Sequence, residues 1–212
     1  MAVTGSLLFG FVVVHLLGNL QIFLGPDHIN AYAALLQGNK LVLWSFRVGL
    51  AVIALLHITT AISLTLENRA ARPVPYLNSQ PPYATFASRI MLLGGLCLLS
   101  FIVYHLLHFT VGVTQPGVMR FTDGAGRHDV YTMMVKGFQN PLVSLVYISG
   151  MVFLYWHLSH GISSVFQSLG LKNRHYAGLI EGFAQGAALV ILLGNCAIAI
   201  AALTGMLPAV MK

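Results

Sequence analysis

The chain has 212 residues, of which 57% are hydrophobic and only 8% are charged, and its mean hydropathy is +0.81. Soluble domains carry about 25% charged residues, so this composition excludes a soluble protein and indicates an integral membrane protein. The formal net charge of +6 comes from eleven basic and five acidic side chains. Because charges are so few, the excess points to membrane headgroups as partners and excludes nucleic acid.

Five apolar segments are long enough to form helices that cross the hydrocarbon core of a membrane, which takes about 20 residues. In chain order they cover residues 4–24, 42–66, 88–112, 142–166 and 179–207. The connections between them are rich in Gly, Pro and Asn, which favour turns, and the third is expected to contain a short interfacial helix around DVYTMMVKGF. The sequence therefore predicts an all-α integral membrane protein with a single domain, residues 1–212.

Six of the nine histidines lie inside these apolar segments, where an imidazole is costly unless it binds a partner. The first four segments carry His15, His57, His105 and His157, each near the C-terminal third or about seven to nine residues before the end of the segment. Since successive helices run in opposite directions, His15 and His105 are predicted to approach one membrane face, and His57 and His157 the other. With helices of about 24 residues, we expect two layers of paired imidazoles separated by roughly 10 Å along the membrane normal.

Paired imidazoles on facing helices suit the two axial positions of a haem iron. A haem whose axial positions are both filled by the protein transfers electrons and does not bind oxygen. The pattern predicts two b-type haems in a bundle formed by the first four helices, with the fifth helix outside. His108 and His160 follow two of these histidines at i+3 on the same helix face, so the spacing leaves open which histidine of each pair binds iron.

Three other interpretations of the histidines stay open at this point. Each histidine could hydrogen-bond to a neighbouring helix, or relay protons in a transporter or channel. A different cytochrome b, such as the membrane subunit of a hydrogenase or a formate dehydrogenase, or a cytochrome b561, would place its ligands on other helix combinations. The matched depth of four histidines favours haem ligation over the alternatives without haem.

Five parts of the chain resemble the cytochrome b membrane-anchor subunit of succinate dehydrogenase and fumarate reductase: VVVHLLGNLQIFLGPD, ALLHITTAI, SRIMLLGG, FIVYHLLHFTVG and WHLSHGISSVFQSLG. The resemblance covers nearly the whole chain and is to the type with one anchor polypeptide, five helices and two haems. It implies that His15 and His105 bind the distal haem, and that His57 and His157 bind the proximal haem. It also implies a bacterial cytoplasmic membrane with the N-terminus in the cytoplasm. The distribution of basic residues does not by itself decide on which side of the membrane the N-terminus lies.

The resemblance further implies an electron-transfer subunit of an oxidoreductase, with an FAD-containing flavoprotein and an iron–sulfur subunit as partners. It would exchange electrons with membrane quinone, menaquinone being favoured, while succinate or fumarate reacts on the flavoprotein. The predicted quinone-side cluster consists of polar residues that follow the first helix, on the same face as the distal haem: Asp27, His28, Asn30 and Tyr32. A polar interfacial turn begun by Gly25 and Pro26 is the alternative.

Haem propionates prefer basic or hydroxyl partners, because charge-assisted hydrogen bonds are strong. The candidates at the helix ends are Arg47 for the distal haem and Ser88, Arg89, Lys172 and Arg174 for the proximal haem. Ordinary anchoring at the membrane interface is the alternative for each of them, and it is favoured for Lys172 and Arg174. His108 and His160 are expected to contact a propionate or a quinone if their i−3 neighbours bind the iron.

Overall fold

The computed structural model describes residues 1–71 and 90–208. Within these ranges the chain is helical and forms no strand, apart from an isolated β-bridge between Thr122 and His128. Five of the described helices are long and apolar enough to cross a membrane. The prediction of an all-α, multi-pass membrane protein is therefore confirmed.

The helices, numbered in chain order, are α1 (Ala2–Leu20), α2 (Pro26–Gly38), α3 (Lys40–Ala70), α4 (Met91–His105), α5 (Val130–Phe138), α6 (Pro141–Ser168) and α7 (Ala177–Leu203). A 3-10 turn, Gln21–Leu24, extends α1, and a π-helical turn, Leu106–Thr110, extends α4. The membrane-spanning helices are α1, α3, α4, α6 and α7. They agree with the five predicted segments to within a few residues at each end, although residues 88 and 89 lie outside the described ranges.

Two shorter helices lie outside the spanning set. The short helix expected in the third connection is confirmed as α5, where the side chain of Asp129 accepts a hydrogen bond from the N–H of Thr132 at 3.0 Å. Its place at the membrane interface stays a prediction. The first connection contains α2, which the sequence prediction of a polar connection missed. Pro26 occupies the first turn of α2, where its fixed φ favours a helix, and buried Asn30 ties α2 to the start of α5.

The four histidine-bearing helices form a ring in which each helix packs against two neighbours. Close contacts run from α1 to α3, from α3 to α4, from α4 to α6, and from α6 back to α1. Consequently α1 stands diagonally opposite α4, and α3 stands diagonally opposite α6. The fifth spanning helix, α7, packs on the outside of this ring against α6 and α1, as predicted for the helix without a histidine.

The protein core lies on one side of the ring. One buried cluster joins α1, α6 and α7 and includes Leu16, Leu158 and Ile191. A second cluster packs α5 against α6 and the end of α7. By contrast, none of the 31 described residues of α3 is buried, so α3 packs loosely within the ring.

Candidate metal centres

The four predicted haem ligands form two pairs across the diagonals of the ring. The imidazole of His15 on α1 faces that of His105 on α4, with ring centroids 5.8 Å apart and ring planes at 84°. The imidazole of His57 on α3 faces that of His157 on α6, at 6.3 Å and 66°. These are the pairs that the alternating helix directions predict, brought together from distant parts of the chain.

The spacing within each pair is that of two imidazoles on opposite sides of one metal ion. A metal–nitrogen bond of roughly 2 Å, with about 1 Å more to the ring centre, places two trans imidazoles with their centroids about 6 Å apart. A direct N–H···N hydrogen bond of about 2.9 Å would instead bring aligned centroids to about 5 Å. In the described part of the chain, no hydrogen bond joins the two rings of either pair.

One histidine of each pair has its Nδ1 atom bound to a hydroxyl group. The Oγ1 of Thr4 lies 3.1 Å from Nδ1 of His57, and the hydroxyl oxygen of Tyr147 lies 3.2 Å from Nδ1 of His105. At metal sites, a contact of this kind fixes which ring nitrogen carries the proton and orients the ring. The Nε2 atoms of His57 and His105 are thereby left for a metal.

The other two imidazoles lack such hydroxyl contacts. Among the described residues, His15 forms no hydrogen bond, and its ring stacks on Phe11 at 5.3 Å. The Nδ1 of His157 is buried and has no hydrogen-bond partner within the described ranges, whereas buried polar atoms nearly always have one. In their chemistry and spacing, the four imidazoles fit the residues that would hold two haems, one pair for each haem.

The two pairs lie at different depths in the bundle. Thr4 contacts the ring of His57, and His15 lies farther along the same helix, so the helical rise of 1.5 Å per residue separates the two levels by about 16 Å. The sequence estimate of roughly 10 Å is therefore too small. It took the level of each histidine from the expected end of its helix, whereas here the contact between Thr4 and His57 sets the level of the second pair.

The second histidine of each i, i+3 pair, His108 or His160, hydrogen-bonds to nearby side chains. His108 is completely buried, with Nδ1 3.0 Å from the Tyr147 hydroxyl and Nε2 3.0 Å from Oε1 of Gln115. The Nε2 of His160 lies 3.1 Å from Oγ of Ser164. In each pair, it is the first histidine that faces an imidazole across the ring, and its binding to iron stays a prediction.

The predicted propionate contacts are only partly described. Arg47 is exposed near the start of α3, with its guanidinium 5.2 Å from the centre of the Trp44 ring. Arg174 is exposed after α6. Ser88 and Arg89 lie outside the described residues. A propionate contact for any of these residues stays a prediction.

Lys172 already has two partners in the chain. Its Nζ donates to Oγ of Ser163 at 2.9 Å and pairs with Oε1 of Glu181 at 2.9 Å. Both contacts hold the connection after α6 against the neighbouring helices. A contact between Lys172 and a haem propionate stays a prediction.

Three of the four predicted quinone-side residues line an open groove of about 580 Å³ beside the end of α1. Asp27, His28 and Tyr32 share its wall with Gln21 and Arg127. The side chain of Asp27 is 95% exposed, and its Oδ1 accepts a hydrogen bond from Nη2 of Arg127 at 3.2 Å. The groove lies on the side of the bundle where His15 and His105 meet.

Asn30, the fourth predicted residue, lies behind the groove in a buried polar network. It is 1% exposed, donates to Oδ1 of Asp129 at 3.0 Å, and accepts from the N–H of Tyr131 at 3.0 Å. Burial raises the pKa of Asp129, but hydrogen bonds from the backbone of Thr132 and from Asn30 outweigh that effect and hold the pKa below its ordinary value. The amide of Asn30 therefore holds α2 against α5, and its contact with quinone stays a prediction.

Arg127 connects the groove to the third connection. Its Nε donates to Oδ2 of Asp123 at 2.6 Å, while Nη2 reaches Asp27. Desolvation raises the pKa of Asp123, but hydrogen bonds from Arg127 and from the N–H of Ala125 hold that pKa below its ordinary value. The Arg127 guanidinium is therefore positioned by two carboxylates at the edge of the groove.

Sequence reasoning missed three residues that hydrogen-bond to His57, His105 and His108: Thr4, Tyr147 and Gln115. Thr and Tyr are common in membrane helices, and Gln115 lies in a connection, so composition and spacing give no signal for any of them. Only the helix packing and the register of the turn after His105 bring these groups to the imidazoles.

No protein-family model matches the chain, and neither does any curated protein or any solved structure.

Proposed function

We propose that the chain is a di-haem cytochrome b, the membrane anchor of a succinate:quinone oxidoreductase of the succinate dehydrogenase/fumarate reductase type. The observation that carries this proposal is the pairing of four imidazoles across two diagonals, with ring centroids 5.8 Å and 6.3 Å apart. The pairing joins the first spanning helix to the third and the second to the fourth. It is the same pairing that the resemblance of the sequence implies.

When bound, the two haems supply reversible one-electron chemistry. His57 and His157 would hold one of them on the side where α1 begins, and His15 and His105 would hold the other on the side where α1 ends. Because the two levels are about 16 Å apart along α1, the chain offers two redox sites at successive depths of the bilayer. This arrangement suits electron transfer from one membrane face towards the other.

We propose that quinone binds in the groove lined by Asp27, His28 and Tyr32. Quinone reduction consumes two electrons and two protons, so the site needs hydrogen-bond donors and a group that exchanges protons with water. Tyr32 and His28 can donate to quinone oxygens, and the exposed carboxylate of Asp27 can transfer protons. Menaquinone is the favoured quinone through the resemblance.

The proposal places the partners on the opposite side, where α1 begins. An FAD-containing flavoprotein and an iron–sulfur subunit would dock there, on the cytoplasmic face of a bacterial membrane, and succinate or fumarate would react on the flavoprotein. The chain itself would serve as the electron-transfer subunit. Its contribution is to hold two one-electron carriers between the iron–sulfur partner and the quinone groove.

An affinity tag on this chain in native membranes tests the proposed function. We expect the tag to co-purify an FAD protein and an iron–sulfur protein, and we expect the complex to reduce a menaquinone analogue with succinate. A haem-containing complex that oxidises hydrogen or formate instead would assign the chain to another quinone-linked dehydrogenase. A purified chain without haem would favour a proton-relaying transporter.

A further inference from the structure

A continuous chain of hydrogen bonds runs from His105 to the connection after α4. The Nδ1 of His105 lies 3.2 Å from the hydroxyl oxygen of Tyr147, and the same oxygen lies 3.0 Å from Nδ1 of His108. The Nε2 of His108 lies 3.0 Å from Oε1 of Gln115. His108 is 0% exposed and stacks on Phe109 at 3.9 Å, so its imidazole, at the centre of this chain, is shielded from water.

A π-helical turn, Leu106–Thr110, sets the positions of the two histidines. In this turn the N–H of Val111 bonds to the carbonyl of Leu106 at 2.8 Å, one residue wider than in an α-helix. The turn contains His108 and directly follows His105, and both imidazoles reach one hydroxyl of α6. Turns of this kind occur frequently at functional sites.

The direction of the hydrogen bonds follows from the Gln115 end of the chain. Oε1 of Gln115 can only accept, so Nε2 of His108 carries the proton, and Nδ1 of a neutral His108 must accept from Tyr147. The Tyr147 hydroxyl has one proton, which is used in that bond. Its oxygen therefore accepts from Nδ1–H of His105, and Nε2 of His105 keeps a free lone pair.

We propose that Gln115, His108 and Tyr147 are positioning residues that fix the tautomer of His105 for ligation through Nε2 and make that ligand more basic. The inference rests on the proposed function, because it requires a haem at His105. A hydrogen bond donated by the second ring nitrogen increases the basicity of a metal-bound histidine. A more basic ligand stabilises oxidised iron, so the hydrogen-bond chain lowers the midpoint potential of the haem held by His15 and His105.

Redox titration of both haems in the purified holoprotein tests this inference. Tyr147→Phe keeps the ring and removes the hydroxyl, so we expect the midpoint potential of the His15/His105 haem to rise and that of the other haem to stay unchanged. Tyr104→Phe is the matched control. The Tyr104 ring lies 6.0 Å from that of Tyr147, but its hydroxyl forms no hydrogen bond within the described ranges, so we expect no shift.

Variants of Gln115, which lies in the connection after α4, test the far end of the hydrogen-bond chain. Gln115→Leu removes the acceptor and should raise the same midpoint potential as Tyr147→Phe. Gln115→Glu supplies a stronger, anionic acceptor and should lower it. In the double variant with Tyr147→Phe, the effect of Gln115→Glu should be strongly reduced, because the hydroxyl that transmits it is missing.

Three results would overturn the inference. If both haems are bound and neither Tyr147→Phe nor Gln115→Leu shifts a midpoint potential, the inference fails and the proposed function stands. If both haems shift together, or if Tyr104→Phe gives the same shift as Tyr147→Phe, the effect is general packing and the inference also fails. A purified chain that binds no haem overturns the inference together with the proposed function.

Discussion

His57 and His157 face each other across the diagonal between α3 and α6, with ring centroids 6.3 Å apart. Packing does not explain this approach, since none of the 31 described residues of α3 is buried. An imidazole within the hydrocarbon region is costly without a partner, and the centroid distance is about that of two ligands on one metal. The proposed haem would account for this approach, which packing alone does not.

Single histidine replacements should separate the two haems. His57→Ala or His157→Ala is expected to remove one haem and leave the other bound, because the two levels are about 16 Å apart along α1. The measurement is the haem-to-protein ratio of each purified variant, with the midpoint potential of the haem that remains. His160→Ala is the control and should keep both haems, since His160 bonds to Ser164 on its own helix. Loss of both haems in every variant would contradict two independent sites.

Replacement of Asp27 tests the proposed quinone groove. Asp27→Asn removes the group that exchanges protons with quinone, so we expect the rate of haem reduction by a menaquinol analogue to fall by about 10²-fold, with an unchanged haem spectrum. Glu181→Gln is the control, because it also breaks an ion pair but lies on the opposite face. Equal rates in Asp27→Asn and wild type would remove Asp27 from the quinone site.

Asp129 should stabilise the start of α5 in a pH-dependent manner. Asp129→Ala is expected to lower the stability of α5 by about 0.5–2 kcal/mol, the usual effect of losing an N-cap side chain. Because hydrogen bonds hold the pKa of Asp129 below its unfolded value, its contribution is present above about pH 4 and is lost as the pH falls through the folded pKa.

Hydrogen exchange of the α5 amides between pH 3 and pH 7, roughly the range in which Asp129 titrates, would measure this contribution. Asp129→Asn keeps an acceptor for the N–H of Thr132 and removes the charge, so it should abolish the pH dependence while keeping part of the protection. An unchanged pH profile in Asp129→Asn would show that Asp129 is not responsible.

Gly150 on α6 is required for the packing of Phe101. A Cβ atom at this position would lie 2.5 Å from Cδ2 of Phe101, so Gly150→Ala should destabilise the protein by about 1–3 kcal/mol. Since Phe101 stacks on His105 at 6.1 Å, the spectrum of the neighbouring haem should also change. Gly186→Ala is the control, because a Cβ there meets no atom within 4 Å. Equal thermal stability of the two variants in detergent would contradict the packing argument.

Much of the architecture could be predicted from the sequence. A run of about 20 apolar residues is a strong signal for a spanning helix, and all five such segments correspond to described helices. The pairing of His15 with His105 and of His57 with His157 could also be predicted. Successive helices run in opposite directions, so histidines at similar distances from their helix ends lie near the same membrane face on every second helix. The short helix α5 was also expected, around the segment DVYTMMVKGF.

The remaining features depend on tertiary contacts that have no local signature. Helix α2 has only 13 residues, and the buried amide of Asn30 holds it in place. It therefore lacks the long apolar run by which the spanning helices were predicted. The π-helical turn after His105 and the hydroxyl of Tyr147 belong to different helices, and only their packing brings them together. The depth between the two pairs was underestimated because the contact between Thr4 and His57, which sets the level of the second pair beside α1, has no signal in the sequence.

The haem content of the purified chain tests the central claim most directly. Haem extraction and a reduced-minus-oxidised spectrum, set against protein concentration, give the number and type of haems bound per chain. Four imidazoles in two facing pairs predict two b-type haems per chain. A chain that is folded in the membrane and binds one haem, or none, would contradict the account.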